Sequence, residues 1–171
     1  NMNEMKKFWG NKTVLISGHT GFKGSWLSLW LMQMGSKVYG VSLEESVSNP
    51  NLYSLIANKE LNDFRANIND SKKIEEIVTN ASPDIIFHLA AQPIVRDSYL
   101  NPVETYKTNV IGTVNLLDAA RKSINTQSVV IITSDKCYLN TENEIPFEEN
   151  DPLGGFDPYS SSKACAEHVA L

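Results

Sequence analysis

Apolar runs alternate with amphipathic stretches along most of this chain, and that alternation predicts its elements. Thr13-Val14-Leu15-Ile16-Ser17 is a β-branched apolar run ending at Gly18, as in a buried strand. Apolar residues recur at helical spacing over 25–34, and Gly35 is placed to take the left-handed position after a helix. Residues 37–43 read as a second strand. Asp70-Ser71 opens a helix that runs to Val78, and Pro83 introduces a strand over 84–89. Asn101-Pro102-Val103-Glu104 combines a capping side chain, a first-turn proline and a carboxylate three residues on. A helix is expected from there to about Lys122, then a buried strand over 128–133 and a helix over 159–171.

Strands alternating with helices imply right-handed crossovers, hence an α/β chain with a parallel, doubly wound sheet covered on both faces. Residues 139–158, with Pro146, Pro152, Gly154, Gly155 and Pro158, read as a loop long enough to expect a functional role.

The chain has 171 residues, 42% of them hydrophobic and 20% charged, which suits one domain with a sizeable core. Its net charge of -5 comes with no Lys/Arg cluster, so nucleic acid and anionic membranes are poor partners. The stretch 26–34 is interrupted by Ser28 and Gln33 and is too short to cross a bilayer. Residues 1–7 lack the apolar core of a signal peptide, so a cytoplasmic setting is expected. Asn1 ahead of Met2 reads as a tag remnant. Cys137 and Cys165 form neither a disulfide framework nor, with His19, His88 and His168, a metal set; no metal is expected. The last helix stops without a Gly or Pro signal, so residues 1–171 are read as one binding domain of a longer chain.

Gly18-His19-Thr20-Gly21-Phe22-Lys23-Gly24 places three glycines between a predicted strand and a predicted helix. Glycine serves there for a tight turn, close approach to a pyrophosphate and close helix–strand packing, while the helix N-terminus offers free N–H groups to phosphates. The alternative is a glycine-rich turn that binds nothing, and position decides for a dinucleotide. Lys23-Gly24-Ser25 reverses the order a P-loop requires. Where an acidic residue would grip the adenosine ribose stands Ser42, with Glu44 and Glu45 just beyond and no arginine in sight. That favours NAD over NADP.

Tyr159 and Lys163 lie four apart at the start of the last predicted helix, so they share a face. An ammonium beside a phenol favours the phenolate and makes it a usable base. The bland alternative is an ordinary surface pair. Thr133-Ser134-Asp135-Lys136-Cys137-Tyr138 ends one predicted strand and His88-Leu89-Ala90-Ala91-Gln92 another, at the edge where open parallel sheets bind ligands. Polar residues there also make ordinary turns.

Taken together, these residues resemble the extended short-chain dehydrogenase/reductase family, in its NAD-dependent epimerase/dehydratase branch, from Gly18 to Lys163 and in the family's order. The marks are Gly18 to Trp26, His88-Leu89-Ala90-Ala91-Gln92-Pro93 with Arg96, Thr133 to Tyr138, and Asp157-Pro158-Tyr159-Ser160. Among the family's dehydratases, those acting on dTDP-glucose carry Thr-Asp-Glu where this chain has Ser134-Asp135-Lys136. The lysine is similar to the branch that takes CDP-linked glucose. The resemblance implies a Rossmann-type fold, a small C-terminal substrate domain absent from these residues, and a homodimer or larger homo-oligomer.

It implies NAD as cofactor, held by Gly18, Thr20, Gly21, Phe22, Lys23, Gly24, Ser42, Asn67, Ile68, Leu89, Ala90, Ala91, Gln92, Asn109, Thr133, Tyr159 and Lys163. It also implies a nucleotide-sugar substrate handled by Ser134, Asp135, Lys136, Tyr159 and Lys163. Tyr159 takes the C4 hydroxyl proton, Ser134 bonds the same oxygen, Lys136 takes the C5 proton and Asp135 protonates the leaving C6 hydroxyl. Lys136 must then be neutral and desolvated. The product is a 4-keto-6-deoxy sugar for cell-surface polysaccharide. Asn67-Ile68-Asn69-Asp70 resembles the family's adenine-contacting Asp-Ile-Arg-Asp with its first carboxylate lost, which with Ser42 implies weaker, exchangeable cofactor binding. Another sugar-nucleotide dehydratase, a 4-epimerase or a non-catalytic dinucleotide-binding module are the competing expectations.

Overall fold

Val14 and Ile16 pack into one apolar cluster and Leu15 into another, all three fully buried, so strand β1 (Thr13–Ser17) is covered on both faces. The computed structural model describes residues 2–43, 51–56, 61–142 and 145–171. In it β2 (Lys37–Ser42) and β4 (Ile85–His88) flank β1, while β3 (Asn62–Arg65) and β5 (Ser128–Ile131) form the edges. The order is β3-β2-β1-β4-β5 and every pair is parallel. The doubly wound reading holds.

Helix α1 (Met2–Trp9) precedes the sheet, α2 (Phe22–Gln33) joins β1 to β2, α3 (Leu52–Ile56) lies between β2 and β3, and α4 (Ser71–Ala81) joins β3 to β4. Between β4 and β5 run α5 (Val95–Leu100), α6 (Pro102–Tyr106), a π-helical turn (Lys107–Ile111) and α7 (Gly112–Lys122). A 3-10 turn (Asp135–Cys137) and α8 (Pro158–Ala170) follow β5. Ile74, Ile77 and Val78 of α4 and Leu116 of α7 fill one face with Leu15, Val41 and Ile86. On the other, Leu31 of α2 packs with Val14, Ile16 and Val38, and Trp9 and Phe87 lie against them.

Strand order reverses at β1, with β2 on one side and β4 on the other. That leaves a crevice beyond the carboxyl ends of β1 and β4. Several expectations need correction. Helix α2 begins at Phe22 rather than residue 25, so part of the glycine turn is already helical. Gly35 does take φ +89. Strand β3, Asn-Asp-Phe-Arg, has no apolar alternation because it is an edge strand, and α3 and α5 are too short to show a period. Strand β5, expected buried, has one neighbouring strand within residues 1–171, and Val130 is 38% exposed there. The Asn101 side chain caps nothing; its carbonyl receives Thr105 instead. Glu44 and Glu45 lie outside the described residues.

Candidate active site

Gly18 closes β1 at φ +76, a left-handed value that glycine adopts without strain. An added Cβ at Gly24 would sit 2.1 Å from the Gly18 carbonyl oxygen, so that glycine is required by the turn's own packing. Gly21 differs. Its φ of -72° suits any residue, and a Cβ there would meet only the Gly18 oxygen, at 3.3 Å. Because Gly21 lines the crevice, that Cβ would fill space offered to a ligand. Helix α2 has no side-chain cap at Gly21, which leaves its first-turn N–H groups for an anion.

The crevice is a cavity of about 470 Å³. The turn residues Gly18, Thr20, Gly21, Phe22, Lys23 and Gly24 line it together with Ser42, Asn67 and Ile68 at one end. Leu89, Ala90 and Ala91 form its floor, and Thr133, Tyr159 and Lys163 close the other end. Sites more than a hundred residues apart in sequence therefore meet at one opening. This shape fits an extended dinucleotide: glycine where phosphates would approach and small side chains where rings would lie.

At the β2 end, Ser42 does not face outward for a ribose. Its Oγ accepts from the Thr20 N–H at 3.4 Å and lies 3.1 Å from His19 Nδ1, tying the turn to β2. His19 Nε2 lies 3.0 Å from Asp63, which also takes the Tyr53 hydroxyl at 2.6 Å. Burial lowers the His19 pKa against the pull of Asp63, and burial with the Asp63 bond pushes Tyr53 up to about 12. The arginine that sequence reading missed is Arg65. It arrives on β3 in register with Ser42, but its guanidinium is held by Asp63 and by the Leu43 carbonyl. A residue on an unrecognised edge strand gave no signal.

At the other end, Asp157 caps α8 by accepting from Ser160 N–H and Oγ, with Pro158 in the first turn. The cap and a bond from the Tyr159 N–H to Ser98 Oγ fix Tyr159, 9% exposed, at the cavity wall. Lys163 is buried, donates to the Ile132 carbonyl at 3.3 Å, and has its pKa pushed down to about 8 by burial and by Lys23.

Several expected site residues lie elsewhere. Asn109, turned inward by the π-helical turn, spends its amide on both backbone groups of Gln92 and on Ser162 Oγ. Gln92 bonds Thr105 and Ile94, so both residues brace the wall from behind. Ser134 caps the 3-10 turn by accepting from the Lys136 N–H. Asp135 and Lys136 pair at 3.0 Å with side chains 69% and 54% exposed. The desolvation expected at Lys136 is not what this arrangement provides. Strand β5 ends at Ile131, and Ile132 and Thr133 still line the cavity; the chain reaches solvent at Asp135 and Lys136, beyond the cover that the cavity gives Lys163.

Sequence reading also missed a buried chain beneath the floor. Ala90 N–H donates to Ser17 Oγ, which lies 2.6 Å from His88 Nδ1; His88 Nε2 lies 2.9 Å from Thr113 Oγ1, which donates to the Asn109 carbonyl. Thr113 spends its proton on that carbonyl, so His88 carries its proton on Nε2 and accepts from Ser17. Burial drives the His88 pKa down to about 3.

A parallel sheet with a glycine turn at its switch point and a buried tyrosine–lysine pair across the crevice defines a dinucleotide-binding α/β protein. The family model described as GDP-mannose 4,6 dehydratase matches residues 15–171, and the chain belongs to that family. It is 49% identical to a CDP-glucose 4,6-dehydratase of Salmonella typhimurium over 96% of this chain and 46% of that protein. It is 31% identical to a UDP-glucuronate 4-epimerase of Arabidopsis thaliana, over 94% of this chain and 38% of that one. The chain thus spans under half the length of these relatives. A UDP-glucose 4-epimerase of Brucella ovis in complex with NAD superposes with a TM-score of 0.79 at 28% identity, covering 91% of this chain and 46% of that one. An epimerase of Methanothermobacter thermautotrophicus, at 23% identity, shares the fold with a TM-score of 0.86 over 99% of this chain and 49% of that one.

Proposed function

We propose that this chain is the cofactor-binding and catalytic part of an NAD-dependent nucleotide-sugar 4,6-dehydratase that converts CDP-glucose to CDP-4-dehydro-6-deoxyglucose and water. One observation carries the reading: the glycine turn and the Tyr159–Lys163 pair face the same cavity, so a dinucleotide lying along it would end at the tyrosine. The 49% identity to the Salmonella dehydratase supports the substrate, and the NAD complex of the Brucella epimerase supports the cofactor. The turn from Gly18 to Gly24 would hold the pyrophosphate, Asn67 and Ile68 the adenine, and Leu89 to Ala91 with Thr133 the nicotinamide half. When bound, NAD supplies an acceptor for the hydride on sugar C4 and returns it at C6.

The chain's own residues move the protons. Tyr159, beside the Lys163 ammonium, takes the proton of the C4 hydroxyl, and Ser134 hydrogen-bonds that oxygen. With C4 a carbonyl, the C5 hydrogen becomes acidic. Lys136 takes it, the C6–oxygen bond breaks, and Asp135 gives the leaving hydroxyl its proton, so one water departs; when the hydride arrives at C6, the proton held on Lys136 returns to C5. Both side chains stand in water in this chain. The step therefore requires the sugar nucleotide to cover them and remove their hydration.

The reading extends to 6-deoxy sugars for cell-surface polysaccharide and to a cytoplasmic homodimer. The free thiols Cys137 and Cys165 support a reducing compartment. Tyr99, Leu100, Val103 and Ile111, at least half exposed along α5, α6 and the π-helical turn, support a subunit contact there. The test is to offer the full-length protein CDP-, dTDP-, GDP- and UDP-sugars and weigh the products. Loss of one water from CDP-glucose is expected; an isomer of unchanged mass would make it an epimerase. Lys136→Ala should leave C4 oxidation measurable and stop elimination.

A further inference from the structure

Behind the cavity wall, Glu167 lies on α8 one helical turn beyond Lys163 and two beyond Tyr159, on the same side of the helix. Its carboxylate accepts a hydrogen bond from the Thr133 hydroxyl. Thr133 and Lys163 line the cavity and Glu167 does not. Lys163 holds the Ile132 carbonyl and Glu167 holds the next side chain, so α8 pins two consecutive residues just past the end of β5.

The structure assigns Glu167 as a positioning residue of the candidate active site: it fixes Thr133 Oγ as a hydrogen-bond acceptor toward the cavity and sustains the positive charge on Lys163, without touching a ligand itself. A threonine hydroxyl has one proton and two lone pairs. With the proton committed to Glu167, Thr133 can only accept, so the ligand group it receives is a donor, an amide N–H or a sugar hydroxyl.

The charge argument is equally local. Facing Lys163 are Lys23 from α2, His88 from β4, Cys137 from the 3-10 turn, and Tyr159 and Glu167 from its own helix. Burial and Lys23 lower the Lys163 pKa to about 8, while Cys137 and Glu167 oppose them. His88, driven down to about 3, is neutral. Among these groups Glu167 is the carboxylate.

The inference rests on the dehydratase reading for its meaning, because a charged Lys163 matters there by easing proton loss from Tyr159. Its test needs no turnover. Competitive acetylation with acetic anhydride between about pH 6 and pH 10, read by mass spectrometry, gives a reactivity midpoint for Lys163. Glu167→Gln, with Glu167→Ala as the second variant should the first not fold, should move that midpoint down by about one pH unit. Exposed Lys122, held above the ordinary lysine value by its bonds to Glu75 and Asp118, should react alike in both proteins across that range. An unmoved Lys163 midpoint in a folded variant overturns the charge role. NAD titrations of Thr133→Val, Glu167→Ala and the double variant decide the other half. Each single change should weaken binding about 3- to 10-fold and the double no more than the worse single. Losses that simply multiply would show that Glu167 does not act through Thr133. A wild type that fails to bind NAD would sink the proposed function, and the acetylation midpoint would still decide the charge role.

Discussion

The two ends of the cavity are built on opposite plans. At the β2–β3 end the polar side chains face one another: Ser42 meets His19, His19 Nε2 lies 3.0 Å from Asp63 without a hydrogen bond, and Asp63 holds Tyr53 and Arg65. At the β5–α8 end they divide. Tyr159 and Lys163 are buried, whereas the Asp135 and Lys136 side chains are exposed and pair with each other. The first end is complete within this chain. The second buries the proposed base and its lysine but leaves the proposed elimination pair uncovered. Cofactor binding should therefore be measurable on this chain alone, and elimination only where a sugar nucleotide covers residues 135 and 136.

The largest effect should come from the buried half of the second end. Tyr159→Phe keeps the ring in its packed position and removes the hydroxyl. Turnover by the full-length protein should fall by about 10³-fold while NAD affinity, measured by calorimetry, stays within about twofold. A matching loss of affinity would move Tyr159 from chemistry to binding. The glycine turn should split next. Gly24→Ala, with its Cβ 2.1 Å from the Gly18 oxygen, should cost about 2 kcal/mol or more in urea unfolding. Gly21→Ala should unfold like the wild type yet bind NAD about 10-fold or more weaker, because its Cβ enters the ligand's space rather than the protein's. Equal effects of the two changes would erase the distinction between packing and binding glycines.

Between the two ends, the floor should respond to acid. His88 has a folded pKa of about 3 against an ordinary value of 6.5, so below that value the unfolded chain takes up a proton that the folded chain refuses. Its contribution is complete above pH 6.5 and is lost as pH falls toward 3. Between pH 8 and pH 5 it should account for about 2 kcal/mol of lost stability. His88→Gln, less stable than wild type at pH 8, should close most of that gap by pH 5 in denaturant titrations. A gap independent of pH would mean that His88 is not held neutral by the Ser17–Thr113 chain.

What could be read from the sequence follows burial. Strand β1, covered on both faces, shows in its run of Val14, Leu15 and Ile16, and the turn after it shows because glycine is the residue that fits. The Asp157-Pro158 start of α8 shows for the same reason, since capping is written locally. Edge strand β3, Asn-Asp-Phe-Arg, carries no apolar run and was missed, whereas β5 carries the run Val129-Val130-Ile131 that reads as a buried strand, although within residues 1–171 it has a neighbour on one side only. Asn109 was legible as a polar residue in a helix but not as one that a π-helical turn rotates into the core. Glu167 and the Ser17–His88 link depend on partners 34 to 73 residues away, and Arg65 on its register with β2 as well as on Asp63, and no local pattern reports such pairings. Positions 135 and 136 were placed correctly after a strand, yet their exposure depends on what covers them.

The smallest effect should sharpen the first end. Asn67 lines the cavity, and its side-chain oxygen already accepts the Asn69 N–H at 2.9 Å. The loop beneath is preset: Ile68 is buried under Gly112, where a Cβ would meet its side chain at 2.6 Å, and its carbonyl receives Asn115 at 3.1 Å. Asn67→Asp should leave that frame unchanged, keep the Asn69 bond through one oxygen and turn a second, charged oxygen toward an adenine amino group. A charge-assisted bond in place of a neutral one is worth about 1 kcal/mol, so NAD and AMP should both bind about 5-fold tighter. The gain must appear with AMP, which has no nicotinamide half. An improvement confined to NAD, or none with either ligand, would show that adenine does not lie against Asn67 and that the completed end of the cavity serves some other part of the dinucleotide.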